Sequence, residues 1–390
     1  MDLIISFIPD FSLIELILGG ILFLSFLIQL LFYLFVYRKP AAYQRKREEK
    51  TITDETLPGI SVIISSKNNS EELRKNLSFV LEQDYPHFEV IVVNSGSTDE
   101  TDMVLKAAEI KYPQLYHTYV PAEADSINEK KLALTLGIKA AKNDILLFTE
   151  AYSRPCSTQW IREYGREFAQ GRDIVLGYSR LIIDQKVRMR KFILFDNLIH
   201  HLKFLSMAIV RKPFMGIGRN MAFKKELFFL HKGYSSILHI EGGEDDLYIN
   251  KIARKKNTGV LLSPDSMTET HSVDNFFTWR SLKSKYLYTR QFYKGFSSHL
   301  FGLETISKYF FYAAFIALCT ISLLTANHYL LGFTLLLFLT RFWVQLIIIN
   351  KNSSLLDAVR YHVNILPFDL FQPFNNLRFR RYANKRNGGR

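Results

Sequence analysis

Cysteine is almost missing: Cys156 and Cys319 are the only two in 390 residues. They are too few and too differently placed for a disulfide framework, which suits a reducing compartment. No internal repeat and no low-complexity linker divides the chain. Acidic residues are outnumbered, 37 Asp and Glu against 50 Lys and Arg, for a formal net charge of +13. A nucleic-acid partner is nevertheless excluded, because no recognisable binding motif accompanies the basic charge. A dinucleotide fingerprint is also missing. GIGRNMAF (216–223) lacks the third glycine of G-x-G-x-x-G, and no strand leads directly into a helix there.

What the chain does contain is long apolar runs. Residues 12–37, SLIELILGGILFLSFLIQLLFYLFVY, carry a single acid, Glu15. A helix crossing a bilayer needs about 20 apolar residues, so this run is long enough. It lacks a basic leader and is followed by basic residues, as expected of a permanent anchor rather than a cleaved signal. Residues 309–326 and 329–349 are two further runs separated by Asn327 and His328, and they predict a transmembrane hairpin. The flanks YRKPAAYQRKREEK and NLRFRRYANKRNGGR are basic, which places both in the cytosol. The expected organisation is an anchor (1–37), a basic juxtamembrane linker (38–57), a cytosolic domain (58–306), the hairpin (307–350), and an interfacial segment with a basic tail (351–390). A multi-pass protein of the inner (cytoplasmic) membrane follows, with membrane lipids as partners and the excess charge facing anionic lipid. Arg341 lies inside the third run, where snorkelling to the interface is the ordinary expectation and pairing with a lipid phosphate the alternative.

The cytosolic stretch alternates short apolar runs with amphipathic ones. ISVIIS (60–65), FEVIVVN (88–94), LYHTYVP (115–121) and DILLFT (144–149) predict strands. Between them, residues 71–83, the segment after Ser97, and NEKKLALTLGIKAA predict helices. Ser97 is the expected N-cap of its helix, with Glu100 as capping-box partner. This alternation means an α/β fold with a mainly parallel sheet between helices. Ligands of such sheets bind beyond the strand C-termini, here residues 65–69, 94–96 and 149–152. Farther on, DIVLGYSRLII predicts one strand, residues 188–210 a helix, GEDDLYINKIARK the start of another, and FFTWRSLKSKYLYTRQFYKG a basic-aromatic helix on the bilayer surface.

The segments SVIISSKNN, VIVVNSGSTDET, KLALTLGIKAAKNDILLFTEA, MGIGRNMAF and GGEDDLYIN occur in the order found in family 2 glycosyltransferases. Over residues 58–300 the chain resembles the membrane-anchored, synthase-like branch of that family, including Bacteroidetes-type proteins. The resemblance implies a GT-A fold and a nucleotide-diphospho-sugar donor lying across the strand ends. It also implies a divalent cation, Mg2+ or Mn2+, bridging the donor's two phosphates. Ser66, Asn68, Ser95, Lys131 and Glu150 then fall on the nucleotide-sugar side. Asp245 matches the family's general base, with Glu244 or Asp246 orienting it; the plainer account of these acids is stabilisation of a helix start. Arg219, Asn220, Lys283 and Lys285 fall near the acceptor or the diphosphate, although a basic face on anionic lipid would equally explain the two lysines.

Several positions depart from the family pattern. Ser95 stands where an aspartate is usual, and Tyr152 replaces the second carboxylate of the metal motif, leaving Glu150 as its one acid. LKSKY (282–286) replaces the terminal glutamine motif, and Asn69 replaces an acid. Ser97 and Asp99 serve capping in the simpler account. Two classes of function remain. One is an inverting transferase moving a sugar to a lipid-linked or polysaccharide acceptor. The other is a catalytically degenerate scaffold assisting a partner glycosyltransferase or export protein.

Overall fold

The computed structural model describes residues 11–46, 57–120 and 128–387. Half of the expected 38–57 linker (47–56), the first ten residues, residues 121–127 with the last residue of the expected strand LYHTYVP, and the last three lie outside them. Helix α1 (Leu13–Leu31) opens on a capping box in which Ser12 and Glu15 satisfy each other's backbone donors. That accounts for the single acid of the apolar run: it caps the helix. The helix continues through a π-turn, Phe32–Tyr37, into α2 (Lys39–Lys46).

The globular part then unfolds in chain order as β1 (Ile60–Ser66), α3 (Ser70–Leu81), β2 (Phe88–Asn94), α4 (Thr101–Lys111), β3 (Leu115–Tyr119), α5 (Glu129–Ala140) and β4 (Ile145–Glu150). After these come β5 (Ser153–Pro155), α6 (Trp160–Ala169), β6 (Ile174–Leu176), β7 (Ser179–Leu181), α7 (Arg190–Ile209), β8 (Met221–Lys224) and α8 (Lys225–Leu230). The remainder is α9 (Asp246–Ile252), β9 (Thr258–Val260), β10 (Thr268–Thr270), α10 (Phe276–Thr289), α11 (Ser297–Leu324), α12 (His328–Leu355) and α13 (Ile365–Asn387).

Seven strands form one sheet in the order β3-β2-β1-β4-β8-β6-β9. The first four are parallel, and β8 runs antiparallel to both β4 and β6. Both faces are covered, which is why β1, β2 and β4 read as nearly unbroken apolar runs. Ile63, Ile91 and Phe148 face one core with α5 and α7; Val62, Val92 and Leu147 face another with α3 and α6. The expected single strand DIVLGYSRLII is split. Its first part is β6 of this sheet, and its second is β7 of a small sheet ordered β5-β10-β7. The break falls at Gly177, where a side chain would collide with Tyr164 and Asn220.

Among the described residues, four helices have the length and composition to cross a membrane, one of them α7. Burial separates them. The most apolar stretch of α7 is 83% buried inside the protein, against 33% for each of the other three. α7 is therefore a core helix of the domain. Helices α1, α11 and α12 pack through Leu22, Phe26, Phe311, Leu318 and Leu337, while Leu24, Phe35, Ile316, Leu336 and Ile347 remain exposed. The expected boundary at 306/307 falls inside α11, which runs without a break from Ser297 to Leu324.

Arg341 neither snorkels nor waits for a lipid. It is 1% exposed, and its Nη2 lies 2.6 Å from Asp369 Oδ2 on α13. Lys308 of α11 reaches the other oxygen of Asp369 at 2.7 Å and Glu304 at 3.1 Å. Lys203 of α7 reaches Glu304 at 3.1 Å. Gln29 of α1 donates to the Glu304 carbonyl and to Ser307 Oγ and accepts from Arg341. One ionic network therefore joins three apolar helices, the tail helix and the globular domain. The tail helix α13 also presents Phe371, Phe374 and Leu377 to the exterior, next to Arg378, Arg380 and Arg381.

Candidate active site

The strand tips lie side by side because β1 holds Ser66 opposite Asn94 of β2 and Ser65 opposite Glu150 of β4. Ser95 N donates to the Ser66 carbonyl at 2.8 Å. Ser66 Oγ is buried at this tip with no hydrogen-bond partner. Asn68, at φ 52°, staples the two neighbouring loops: its N–H donates to Ser97 Oγ at 2.9 Å, and its Oδ1 accepts from Thr98 N at 2.8 Å. Ser97 is thereby used up, and α4 begins only at Thr101. The expected capping box does not form; Asp99 instead accepts from Ser70 N and Thr101 N, tying α3 to α4, and Glu100 pairs with Arg74.

On the far side of the cleft, Gly242 and Gly243 take φ values of 76° and 84°, a left-handed turn that favours glycine. It delivers three acids with three different tasks. Asp245 is 7% exposed; its Oδ2 accepts from Gly218 N and the Tyr286 hydroxyl, both at 2.8 Å, and its Oδ1 accepts from Asp246 N. Asp246 is fully buried and saturated by Leu247 N, Thr289 Oγ1 and the Tyr293 hydroxyl. Glu244 faces Lys130. Gly218 joins this turn to the strand tips: a β-carbon there would stand 3.4 Å from Asp245 Oδ2 and 3.6 Å from Glu150 Oε1.

Lys130, at the start of α5, bridges the cleft. Its Nζ lies 2.6 Å from Glu150 Oε1 and 3.0 Å from Glu244 Oε1, and its side chain stays 32% exposed. Burial would lower the ammonium's pKa, but the two carboxylates outweigh it and hold the charge. Burial would likewise raise Glu244, and the Lys130 charge reverses that, keeping it ionised. Asp245 goes the other way. Its burial, reinforced by the negative Glu244 beside it, raises its pKa above the ordinary carboxylate range.

Residues 61–229 match the family described as "Glycosyl transferase family 2". This segment is a glycosyl transferase family 2 domain. Among curated relatives, the poly-beta-1,6-N-acetyl-D-glucosamine synthase of Staphylococcus epidermidis is 31% identical over 146 residues, covering 37% of this chain and 31% of its own length. Glycosyltransferase AglE of Haloferax volcanii is 32% identical over 108 residues, covering 27% of this chain and 34% of its own. The chain thus spans about a third of the length of these relatives. The mannosyltransferase PcManGT of Pyrobaculum calidifontis, solved with GDP-Man and Mn2+, superposes with a TM-score of 0.53 at 18% identity, covering 88% of this chain and 99% of its own. That likeness establishes the fold, GT-A.

The structure sets Ser66 and Ser95 of the matched segment at adjoining strand tips next to Glu150, links Glu150 through Lys130 to Glu244 beside Asp245, beyond that segment, and turns other expected residues away. Lys131 is 0% exposed, and its ammonium donates to the carbonyls of Ile237 and Ile240. It locks α5 to the loop before the acidic turn, and its neighbour Lys130 takes the place at the strand tips. Asn220 is saturated: it accepts from Trp160 Nε1 and the Tyr164 hydroxyl and donates to the carbonyls of Tyr178 and Ser266. It is a core cross-link rather than an acceptor contact. Lys283 is buried against Asp196 and Trp279, so neither phosphate nor the bilayer surface claims it. Helix α10 as a whole is docked by Trp279 and Lys283 and does not lie free on a membrane. Lys285 remains exposed, close enough for its charge to act on Glu244. Two residues of this helix reach the acidic turn, Thr289 through Asp246 and Tyr286 through Asp245. Tyr286 stood at the end of the divergent LKSKY segment, and only its three-dimensional neighbour marks it.

Proposed function

We propose that this chain is a membrane-anchored inverting glycosyltransferase with its family 2 domain in the cytosol. It takes a sugar from a nucleotide-diphospho-sugar and passes it to a lipid-linked or polysaccharide acceptor. Asp245 carries this reading: its buried carboxylate, raised above its ordinary pKa, is held by three donors next to Glu244, which Lys130 joins to Glu150 at the tip of β4. In the reaction the acceptor hydroxyl attacks the anomeric carbon on the face opposite the leaving group. A C–O bond to the acceptor forms as the bond from the sugar to the β-phosphate oxygen breaks. The electron pair leaves on the nucleoside diphosphate, and the hydroxyl proton passes to Asp245. Tyr286 and Gly218 N hold Oδ2, and Glu244 keeps the pKa high enough for Asp245 to accept a proton. Ser66 Oγ, Ser95 and Asn68 border the nucleotide side. A scaffold subunit assisting a partner glycosyltransferase or export protein would not need this base to be oriented by three donors.

Membrane anchoring is supported by the exposed apolar faces of α1, α11 and α12 and by the basic residues that follow α1 and close α13. The inner (cytoplasmic) membrane suits this arrangement, with the cleft opening near lipid.

The solved GT-A neighbour carries Mn2+ with its donor, and Mg2+ or Mn2+ would serve the same charge here. The residues present fit such an ion poorly. Glu150 is the one carboxylate at the matching strand tip, and Lys130 occupies it. Tyr152 supplies a half-buried phenol whose pKa burial pushes up, so it stays neutral. Among the described residues no three Asp, Glu, His or Cys side chains converge as a metal site.

The test is direct. The full-length protein in detergent, incubated with UDP- and GDP-linked sugars and a membrane lipid extract, should release nucleoside diphosphate only when acceptor is present. No release from any donor overturns the transferase reading. A second expectation concerns pH. Asp245 must be ionised to act, so activity rises with pH through its raised pKa. Tyr286→Phe removes a donor that favours the ionised form. The acid limb of kcat/KM should therefore move to higher pH by about one unit, since a hydrogen bond to a charged group is worth about 1.5 kcal/mol and a pKa unit about 1.4 kcal/mol. A profile that stays in place would show that Asp245 does not set that limb.

A further inference from the structure

Among the described residues, Arg219 is an ionic group with no carboxylate against it. It is 2% exposed, and its Nε and Nη1 are buried with no hydrogen-bond partner. Its backbone is fixed, because the carbonyl accepts from Thr149 Oγ1 at 3.2 Å and Thr268 Oγ1 at 3.1 Å. Thr149 belongs to the tip of β4, so the guanidinium springs from a point beside the cleft. Its charge is felt by the phenols of Tyr152 and Tyr286 and, on the α7 side, by Tyr178, His200 and His201. Desolvating a guanidinium is costly unless an anion meets it in good geometry, and no carboxylate pairs with this one among the described residues.

Position 152 bears on this. Its phenol feels the Arg219 charge but stays neutral, so it does not offset the guanidinium. On the other side of Glu150, Lys130 already holds a positive charge between Glu150 and Glu244 while remaining partly open to the cleft. One carboxylate lost, one covered by an ammonium and one buried arginine left unpaired all change the local charge in the same direction. Guanidinium is suited to paired phosphate oxygens, and an ammonium acts as a point charge.

We propose that Arg219 and Lys130 bind the donor's diphosphate directly, so that a divalent cation is dispensable for holding the donor and for receiving the charge of the leaving group. This rests on the transferase reading above. It would make the chain a cation-bearing variant of its fold, with protein side chains doing the electrostatic work at the breaking bond.

The experiment is calorimetric titration of the full-length protein in detergent with UDP and GDP, in EDTA and in Mn2+ or Mg2+. Affinity for whichever nucleotide binds should change less than about twofold between the buffers. In EDTA, Arg219→Gln should weaken diphosphate binding at least about tenfold and leave the free nucleoside unaffected, with Arg219→Lys recovering part of the loss. Tyr152→Asp, which adds a carboxylate two residues from Glu150 just past the tip of β4, should weaken binding in EDTA and make it depend on Mn2+; it serves if the arginine variants do not fold. Binding that needs metal in the unaltered protein overturns the proposal, as does unchanged affinity in both Arg219→Gln and Tyr152→Asp. No binding of either nucleotide in either buffer overturns the transferase reading itself, and this inference with it.

Discussion

Asp245→Asn is expected to lower turnover by about 10²–10⁴-fold, the range that a positioned general base contributes, while nucleotide binding holds. The reason is local. Asparagine keeps the shape and can still accept from Gly218 N and Tyr286 through its oxygen, but it cannot take the acceptor's proton. Its amide nitrogen must then face Asp246 N, where Asp245 Oδ1 now accepts at 2.8 Å. That loss of a cap costs about 1 kcal/mol, so the variant should still fold, and a thermal melt beside the rate assay separates the two effects. Full activity in a folded Asp245→Asn protein would remove Asp245 from the chemistry. Asp246→Asn should behave differently, because Asp246 is fully buried and both its oxygens are engaged, by Leu247 N and by Thr289 and Tyr293; its loss should show in the melt before the rate.

Asp369→Leu is expected to destabilise the protein by about 3–5 kcal/mol, the usual cost of leaving a buried charge without its partner. Lys308 would still have Glu304, but Arg341 would keep only the neutral groups of Gln29, Tyr312 and Gln345. The consequence extends beyond the apolar helices, since α13 also reaches the globular domain through Gln372, which donates to Asp196 at 2.9 Å. Thermal unfolding of the full-length protein in detergent measures the effect. The double variant Asp369→Leu/Arg341→Met removes both charges and should regain much of the loss, because an apolar pair of similar volume avoids the desolvation altogether. A single variant that melts with the parent protein would mean the network bears little of the tail's attachment.

Comparing sequence and structure is most instructive at the residues where they part. The strands were legible because β1, β2 and β4 are apolar on both faces, and the cleft was legible because a parallel sheet gathers its strand tips at one edge. The motif alone marked the acidic turn that places Asp245 at the start of α9. Asn220, Lys131 and Lys283 could not be separated from true site residues, since a polar side chain facing a ligand and one facing a carbonyl have the same sequence signature. Lys130 and Lys131 make the case plainly: they are adjacent and chemically identical, yet a helix turns neighbouring side chains by about 100°, so one meets Glu150 and the other meets Ile237 and Ile240.

Composition and order along the chain by themselves determined the apolar helices, the alternation that builds the sheet, the family of the domain and the identity of the acid at its helix start. These depend on periodicity and local chemistry, which act over a few residues. Tertiary structure alone decided that Lys131 and Lys283 are buried cross-links, that Arg341 belongs to Asp369, and that Arg219 stands without a carboxylate partner among the described residues. Those are facts about which charges meet across dozens to hundreds of residues, and Coulomb energy depends on distance in space rather than separation along the chain.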